Sequence, residues 1–264
     1  MAAITTRTVG PVLVVTINRP DVRNAVDGPT AAILYETFVD FDRDDDLSVA
    51  VLTGADGTFC SGADLGGIID GRANPVTDEP PDQIVGTPGP MGPTRLTLTK
   101  PSIAAVEGHA VAGGLELAVW CDLRVAATDA VFGVYCRRWG VPLVDGGTIR
   151  LPRLIGHSNA MDLILTGRGV RGDEAKQMGL VNRLVEPGRA VTAAIELATE
   201  IAAFPQLCTR NDRTSAIQQW GDDLGTALAR EVSLGRSTLE SGEALDGARR
   251  FASGEGRHGS FRGD

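Results

Sequence analysis

A glycine step between a short apolar strand and an apolar helix constrains this chain more than any other feature. Ile103-Ala-Ala-Val106 reads as a strand, the run breaks at Gly108, and after the paired Gly113-Gly114 it restarts as a helix through Leu115, Leu117, Ala118 and Val119. A strand that feeds a glycine step into a helix leaves unpaired backbone N–H groups pointing outward. The helix dipole adds partial positive charge at the same place, so the site suits a developing oxyanion. Gly113 lets a carbonyl approach the backbone with no Cβ in the way. Glu116, three residues on, shares the face that Gly113 presents.

A second stretch answers the first: a buried strand at Val49–Gly54, then Thr58-Phe-Cys-Ser-Gly62-Ala63-Asp64-Leu65, a turn and another glycine-led helix start. Further landmarks follow in order: Asn18-Arg-Pro and Arg23-Asn-Ala25, Phe132-Gly133, Gly146-Gly-Thr148, Leu151-Pro-Arg153, Leu165-Thr-Gly167, and Ala175 with Gly179-Leu180-Val181. Each is weak alone, but the ordered set, spread over almost the whole chain, resembles the crotonase (enoyl-CoA hydratase/isomerase) superfamily. The resemblance implies an α/β fold in which a spiral core of ββα turns, residues 1–200, binds an acyl-CoA. Residues 201–264 would form a C-terminal helical region used for trimerisation, in a homotrimer or a dimer of trimers. It also implies an oxyanion hole from the N–H groups of Ala63 and Gly113, closed on the thioester carbonyl. The acyl-CoA would be held by Arg23, Ala25, Ala63, Asp64, Leu65 and Gly113, with Asp64 tying down its turn. Coenzyme A would enter as part of the substrate, with no other cofactor.

Composition narrows the partners. A net charge of −9 argues against nucleic acid, which needs a basic surface; an anionic CoA must find local positive charge, for which Arg23 is a candidate. No apolar run reaches the roughly 20 residues that span a bilayer, and the first residues lack the pattern of an export signal. Cys60, Cys121, Cys136 and Cys208 are widely spaced, as in reduced cytoplasmic thiols, and neither they nor His109, His157 and His258 show the spacing of a metal site.

Hydration of an enoyl thioester needs a donor pair for the enolate oxygen, a base for water and an acid for the α-carbon. In the family's hydratases two glutamates share the proton work. The first matches Glu116, whose plain reading is a carboxylate favoured by the dipole of a first helical turn. The second would stand three residues beyond Gly133, where this chain has Cys136. A thiol titrates near pH 8.5 and mimics a glutamate poorly, while buried Cys is often a small inert hydrophobe. Asp145 offers another route. Dienoyl-CoA isomerases and a CoA-thioester dehalogenase of the superfamily carry a catalytic Asp in a closely similar place, but Asp also serves well as the N-cap of a helix beginning near Gly146. Both readings of Asp145 stand at this point. The expected activity is that of an enoyl-CoA hydratase (a lyase) or isomerase of fatty acid metabolism. Cys136 favours an alternative, an acyl-CoA-binding homologue with little turnover. Ser61 sits in no G-x-S-x-G frame, which argues against a serine hydrolase.

Residues 28–43 suit an amphipathic helix with Ile33, Leu34, Phe38, Val39 and Phe41 apolar. Residues 70–94 are rich in Pro and Gly and hold no regular helix throughout. Such a loop is either a mobile wall of the acyl pocket or a disordered surface segment. From Gly146 the chain turns mainly helical, with a helix at 190–204 rich in Ala, Ile, Leu and Glu; the resemblance implies short helices at 206–220, 223–241 and 243–252, before a tail from Gly254 that is frayed or docked on a neighbour.

Overall fold

The structure, a computed structural model, describes residues 2–256; most of the C-terminal tail, Arg257 to Asp264, lies outside them. The chain divides into two compact units, residues 1–201 and 202–264.

The first unit begins with strands β1 (Ile4–Val9) and β2 (Val12–Ile17), helix α1 (Gly28–Arg43), strand β3 (Val49–Gly54) and the short helix α2 (Leu65–Ile69). Strands β4 (Ser102–Val106) and β5 (His109–Val111) then lead into helix α3 (Gly113–Trp120). Strands β6 (Leu123–Ala127) and β7 (Val131–Gly133) lead into a 3-10 helix, Tyr135–Trp139. Helices α4 (Gly147–Ile155) and α5 (His157–Thr166), strand β8 (Gly169–Arg171), helix α6 (Gly172–Gln177), strand β9 (Arg183–Val185) and helix α7 (Ala190–Ala202) complete the series.

Six strands form one sheet in the order β1-β2-β3-β4-β6-β9, parallel except for β1 against β2. A second sheet, β5-β7-β8, is extended by two isolated parallel bridges, Cys60↔Ala110 and Val26↔Ala63. The chain therefore repeats one turn: a strand in the large sheet, a strand or bridge in the small one, then a helix. The third and fourth turns show this most fully, matching the expected ββα spiral. β4 is buried along its whole length, as a parallel strand covered on both faces must be. Helix α3 is buried at every position, so Glu116 is an ionisable side chain inside a wholly enclosed helix.

Helix α1 corrects one detail of the apolar stripe. Ala31, Leu34, Phe38 and Phe41 are buried, whereas Ile33 is 47% exposed. Spacings of three, four and three residues keep the first set on one face, and Ile33 falls off it. Asp27 caps the helix by accepting from the Thr30 N–H at 3.0 Å.

The second unit contains helices α8 (Gln206–Gln218), α9 (Leu224–Ser241) and α10 (Glu243–Ala252). Leu224, Leu228, Val232 and Leu239 of α9 are exposed. No single helix among the described residues is long and apolar enough to cross a membrane.

Arg124 on β6 is buried to 1% exposure and ties β6 to the turns around it. Its Nε donates to the Leu180 carbonyl at 2.6 Å, Nη1 to the Cys121 carbonyl at 2.7 Å and Nη2 to Asn182 Oδ1 at 3.3 Å. Arg124→Met would strand these acceptors without partners. We expect a loss of about 3 kcal/mol in urea denaturation; a loss below about 1 kcal/mol would contradict this account of the buried network.

Candidate active site

The pairing of the small sheet brings the two glycine-led helix starts together. Cys60 and Ala110 are bridged in parallel, with the Cys60 N–H donating to the His109 carbonyl at 2.9 Å and the Val111 N–H to the Cys60 carbonyl at 3.1 Å. Three residues forward from each partner lie Ala63 and Gly113, so equal steps along parallel chains set them side by side. The approach is tight: a Cβ on Gly114 would stand 2.1 Å from the Cys60 carbonyl oxygen, and one on Gly62 would stand 3.1 Å from the Gly113 nitrogen. Both positions therefore need glycine.

The residue before each donor has an unusual backbone. Gly62 has φ +106°, and Ala112, though not glycine, has φ 53° and ψ −125°. Such a conformation costs on the order of 1–3 kcal/mol for a non-glycine residue. The N–H groups of Ala63 and Gly113 find no acceptor among the described residues, while the N–H groups of Val26, on the neighbouring turn, and Asp64 are both used. Ala63 and Gly113 both line a cavity of about 450 Å³, within the usual range for a small-molecule site.

Two carboxylates face the same cavity. Glu116, 2% exposed, and Asp145, 3% exposed, both line it. Glu116 Oε1 accepts from the backbone N–H of Asp145 at 2.9 Å and of Gly147 at 2.8 Å, leaving Oε2 as the oxygen without such a partner. Gly147 permits this approach, since a Cβ there would stand 3.0 Å from Oε1. Burial, then the Asp145 charge, pushes the Glu116 carboxyl up to about 7, against the pull of those two N–H donors and Arg150. Burial also raises Asp145, opposed by hydrogen bonds from Thr94 and the Met91 N–H and by Arg95 and Arg150.

Asp145 is not the N-cap of α4. That place belongs to Gly146, at φ +89°, which has no side-chain cap bond. Asp145 Oδ1 instead accepts from the Met91 N–H at 2.9 Å and from the Thr94 hydroxyl. Cys136 sits in the 3-10 helix, lines the cavity and is 6% exposed. Burial and the Glu116 charge raise its thiol above the ordinary range, so it stays protonated and cannot serve as a base.

The remaining expected residues divide. Arg23 and Leu65 line the cavity. Asp64 caps α2 through the Gly67 N–H at 3.2 Å and pairs with Arg19 at 2.9 Å, which is a structural role. Ala25 is buried, and its carbonyl accepts from Arg19 rather than facing the cavity. The Pro/Gly loop does wall the cavity, through Ala73, Asn74, Val76, Pro90 and Met91. Sequence reading missed Met91, Thr94, Arg150 and the cavity-lining Tyr135 as site residues. A Cβ on Gly113 would stand 2.6 Å from Met91 Sδ, so the Met91 side chain packs directly on that glycine. Nothing in the sequence of the loop signals that contact.

The chain matches the "Enoyl-CoA hydratase/isomerase" family over residues 7–263. It is 37% identical over 250 residues to enoyl-CoA hydratase EchA19 of Mycobacterium tuberculosis, covering 92% of this chain and 91% of that protein. It is 35% identical over 229 residues to a short-chain-enoyl-CoA hydratase of Clostridium acetobutylicum, covering 84% of each. Among solved structures, enoyl-CoA hydratase EchA1 of Mycobacterium marinum superimposes with a TM-score of 0.87 at 36% identity, over 95% of this chain and 96% of that one.

The raised Glu116 carboxyl has a consequence for stability. The folded state holds a proton that the unfolded chain releases near 4.5, so the stability from this group is complete below that pH and is lost as pH rises through about 7. Glu116→Gln keeps the Oε1 acceptor and removes the charge. At pH 8 the variant should exceed the parent by about 3 kcal/mol, and at pH 4 by nothing, in paired urea melts. Equal stabilities at pH 8 would show that the buried carboxylate carries no such penalty.

Proposed function

The chain belongs to the enoyl-CoA hydratase/isomerase family, and we propose that it hydrates the α,β double bond of an enoyl-CoA with Glu116 and Asp145 as the proton-transferring pair. The observation that carries the reading is the meeting, in one cavity, of two backbone N–H groups with no acceptor among the described residues and two buried carboxylates. The thioester oxygen sits between the Ala63 and Gly113 N–H groups, which stabilise the enolate as it forms.

Like charges in a buried site resist full ionisation, so near neutral pH the pair holds one proton between its members. That state is the one hydration needs. The ionised carboxylate takes a proton from water as its oxygen bonds to the β-carbon. The π electrons pass onto the thioester oxygen and return as the protonated partner delivers its proton to the α-carbon. One proton is taken and one given, and the pair ends with the same charge. The step is an addition of water with two proton transfers, so coenzyme A enters as part of the substrate and no further cofactor is required. Arg23 at the cavity supplies positive charge for the anionic CoA on a protein whose net charge is −9.

The pair also disfavours a catalytically silent acyl-CoA binder. Asp145 takes the role that Cys136 leaves vacant, and a binder would have no use for two carboxylates buried at such cost. We further propose a homotrimer or dimer of trimers, for which the exposed apolar residues of α9 supply a surface. A cytoplasmic location in fatty acid metabolism accords with four unpaired cysteines.

With crotonyl-CoA as substrate, loss of the conjugated enoyl absorbance reads turnover directly. Glu116→Gln and Asp145→Asn should each lower kcat by roughly 10²–10⁴, while Cys136→Ser should stay within about threefold of the parent, since the thiol moves no proton. Full activity in Asp145→Asn would end the two-carboxylate reading. A collapse in Cys136→Ser would return the second role to the thiol.

A further inference from the structure

The Pro/Gly loop ends in a segment whose role exceeds that of a wall. Residues Gly89 to Arg95 form a closed turn, with the Gly89 N–H donating to the Gly92 carbonyl and the Gly92 N–H to the Gly89 carbonyl, each at 2.8 Å, followed by a 3-10 helix at Pro93–Arg95. The turn is pinned at both ends. Asn74 Nδ2 donates to the Pro90 carbonyl at 2.8 Å, and Trp120 Nε1 donates to the Leu96 carbonyl at 3.0 Å. Gly92, at φ +93°, lies against α1, where a Cβ would stand 2.6 Å from the Ala31 carbonyl oxygen.

Within that turn Thr94 is 1% exposed and bonded on two sides. Its hydroxyl donates to Asp145 Oδ1, and its carbonyl accepts from Arg150 Nη2 at 2.7 Å. Arg150 Nη1 donates to the Asp145 carbonyl at 2.8 Å, closing a ring of Thr94, Asp145 and Arg150. Gly89 is packed into the same place: a Cβ there would stand 2.1 Å from Thr94 Oγ1 and 2.8 Å from Asp145 Oδ1. Both bonds to the Asp145 carboxylate, from Thr94 and from Met91 N–H, fall on Oδ1. Oδ2 has no partner among the described residues and is the oxygen left for the cavity that Asp145 lines.

We propose that Thr94 is a positioning residue for the proton chemistry: its hydroxyl turns Asp145 so that Oδ2 faces the substrate and favours the ionised form of that side chain. This rests on the two-carboxylate reading above. The groups that face Asp145 are Glu116 from α3, with Cys136 close enough to feel the Glu116 charge, Arg95 from the same turn as Thr94, and Arg150 from α4. Neither arginine donates a hydrogen bond to the Asp145 carboxylate, since Arg150 reaches only its carbonyl. The neutral hydroxyl and one backbone N–H therefore do the orienting.

Removing a hydrogen bond to the ionised form makes ionisation harder. In Thr94→Val, which keeps the side-chain shape, the Asp145 midpoint and the acid limb of kcat against pH should both move upward by about one unit. KM should change little, because Thr94 does not line the cavity, and Thr94→Ser should restore the parent profile. The midpoint is read independently of turnover, by infrared titration of the protonated carboxyl stretch in the free protein, with Asp145→Asn identifying the band. A midpoint that stays at the parent value in Thr94→Val overturns the assignment whatever the activity. So does a Thr94→Ser protein shifted as far as Thr94→Val, since the hydroxyl would then not be the cause. A shifted midpoint in a protein that turns over no enoyl-CoA leaves Thr94 in its role and instead sinks the hydratase reading.

Discussion

The contact between the Cys60 carbonyl and the backbone at Gly114 is the constraint on which the site depends. A Cβ on Gly114 would stand 2.1 Å from that oxygen, so no side chain larger than hydrogen fits between the two turns of the spiral. The parallel bridge of Cys60 with Ala110 sets the register, and the glycine sets the distance. Only with both in place do equal steps along the two chains bring Ala63 beside Gly113. Slippage by one residue would send one N–H into the sheet and leave the other facing the cavity alone. The positive φ values at Gly62 and Ala112 stand at matching places, each on the residue before one of the two N–H groups. The strain at Ala112 is tolerable because the wholly buried α3 follows it immediately and leaves the backbone no room to relax.

The cost of the site is electrostatic. Two carboxylates buried beside each other are a poor choice for stability, since desolvation and mutual repulsion both oppose ionisation. The fold limits the penalty by spending backbone donors instead of cations on the pair. Glu116 Oε1 takes the N–H groups of Asp145 and Gly147, and Asp145 Oδ1 takes that of Met91. Arg150 stands close enough to favour both charges but bonds to carbonyl oxygens. A direct guanidinium pair would lock a carboxylate in its ionised form and remove it from proton transfer. Polar N–H donors moderate the charge without fixing it, which leaves Glu116 near 7, where a general acid and base is most useful.

Much of this was legible in the residues. The glycine steps at Gly62 and at Gly113-Gly114 mark where strands give way to helices, and the apolar runs of β3 and β4 are long enough to read as buried strands. The helix from Ala190 follows from its run of Ala, Ile, Leu and Glu, whereas those beyond Pro205, broken by Gly221, Gly225, Gly235, Gly242 and Gly247, rest on the family resemblance. What could not be read lies where long-range packing decides. The pairing of Cys60 with Ala110 joins residues fifty apart, and no local pattern announces it. The loop over residues 70–94 shows only that it cannot be a helix. Its Pro and Gly content gives no sign that Met91 packs on Gly113 or that Thr94 bonds Asp145. Asp145 itself was ambiguous for a physical reason: an Asp just before a helix is a good N-cap, and only the αL geometry of Gly146 removes it from that duty.

The change at Cys136 follows from the same geometry. The 3-10 helix Tyr135–Trp139 brings its second residue to the cavity, so that position could hold an acid/base group. A thiol there, raised by burial and by the Glu116 charge, is neutral and nearly apolar. A carboxylate at Cys136 would add a third negative group to a cavity that already contains Glu116 and Asp145, and among the described residues no cation bonds directly to either of those carboxylates. The cavity can support two such groups with the backbone donors it has. Asp145 is held by its own pair of donors from the Gly89–Arg95 turn, the Met91 N–H and the Thr94 hydroxyl. The cysteine and the aspartate are therefore one feature: the chain keeps two carboxylates in the cavity, and the second is held by the Met91 N–H and the Thr94 hydroxyl.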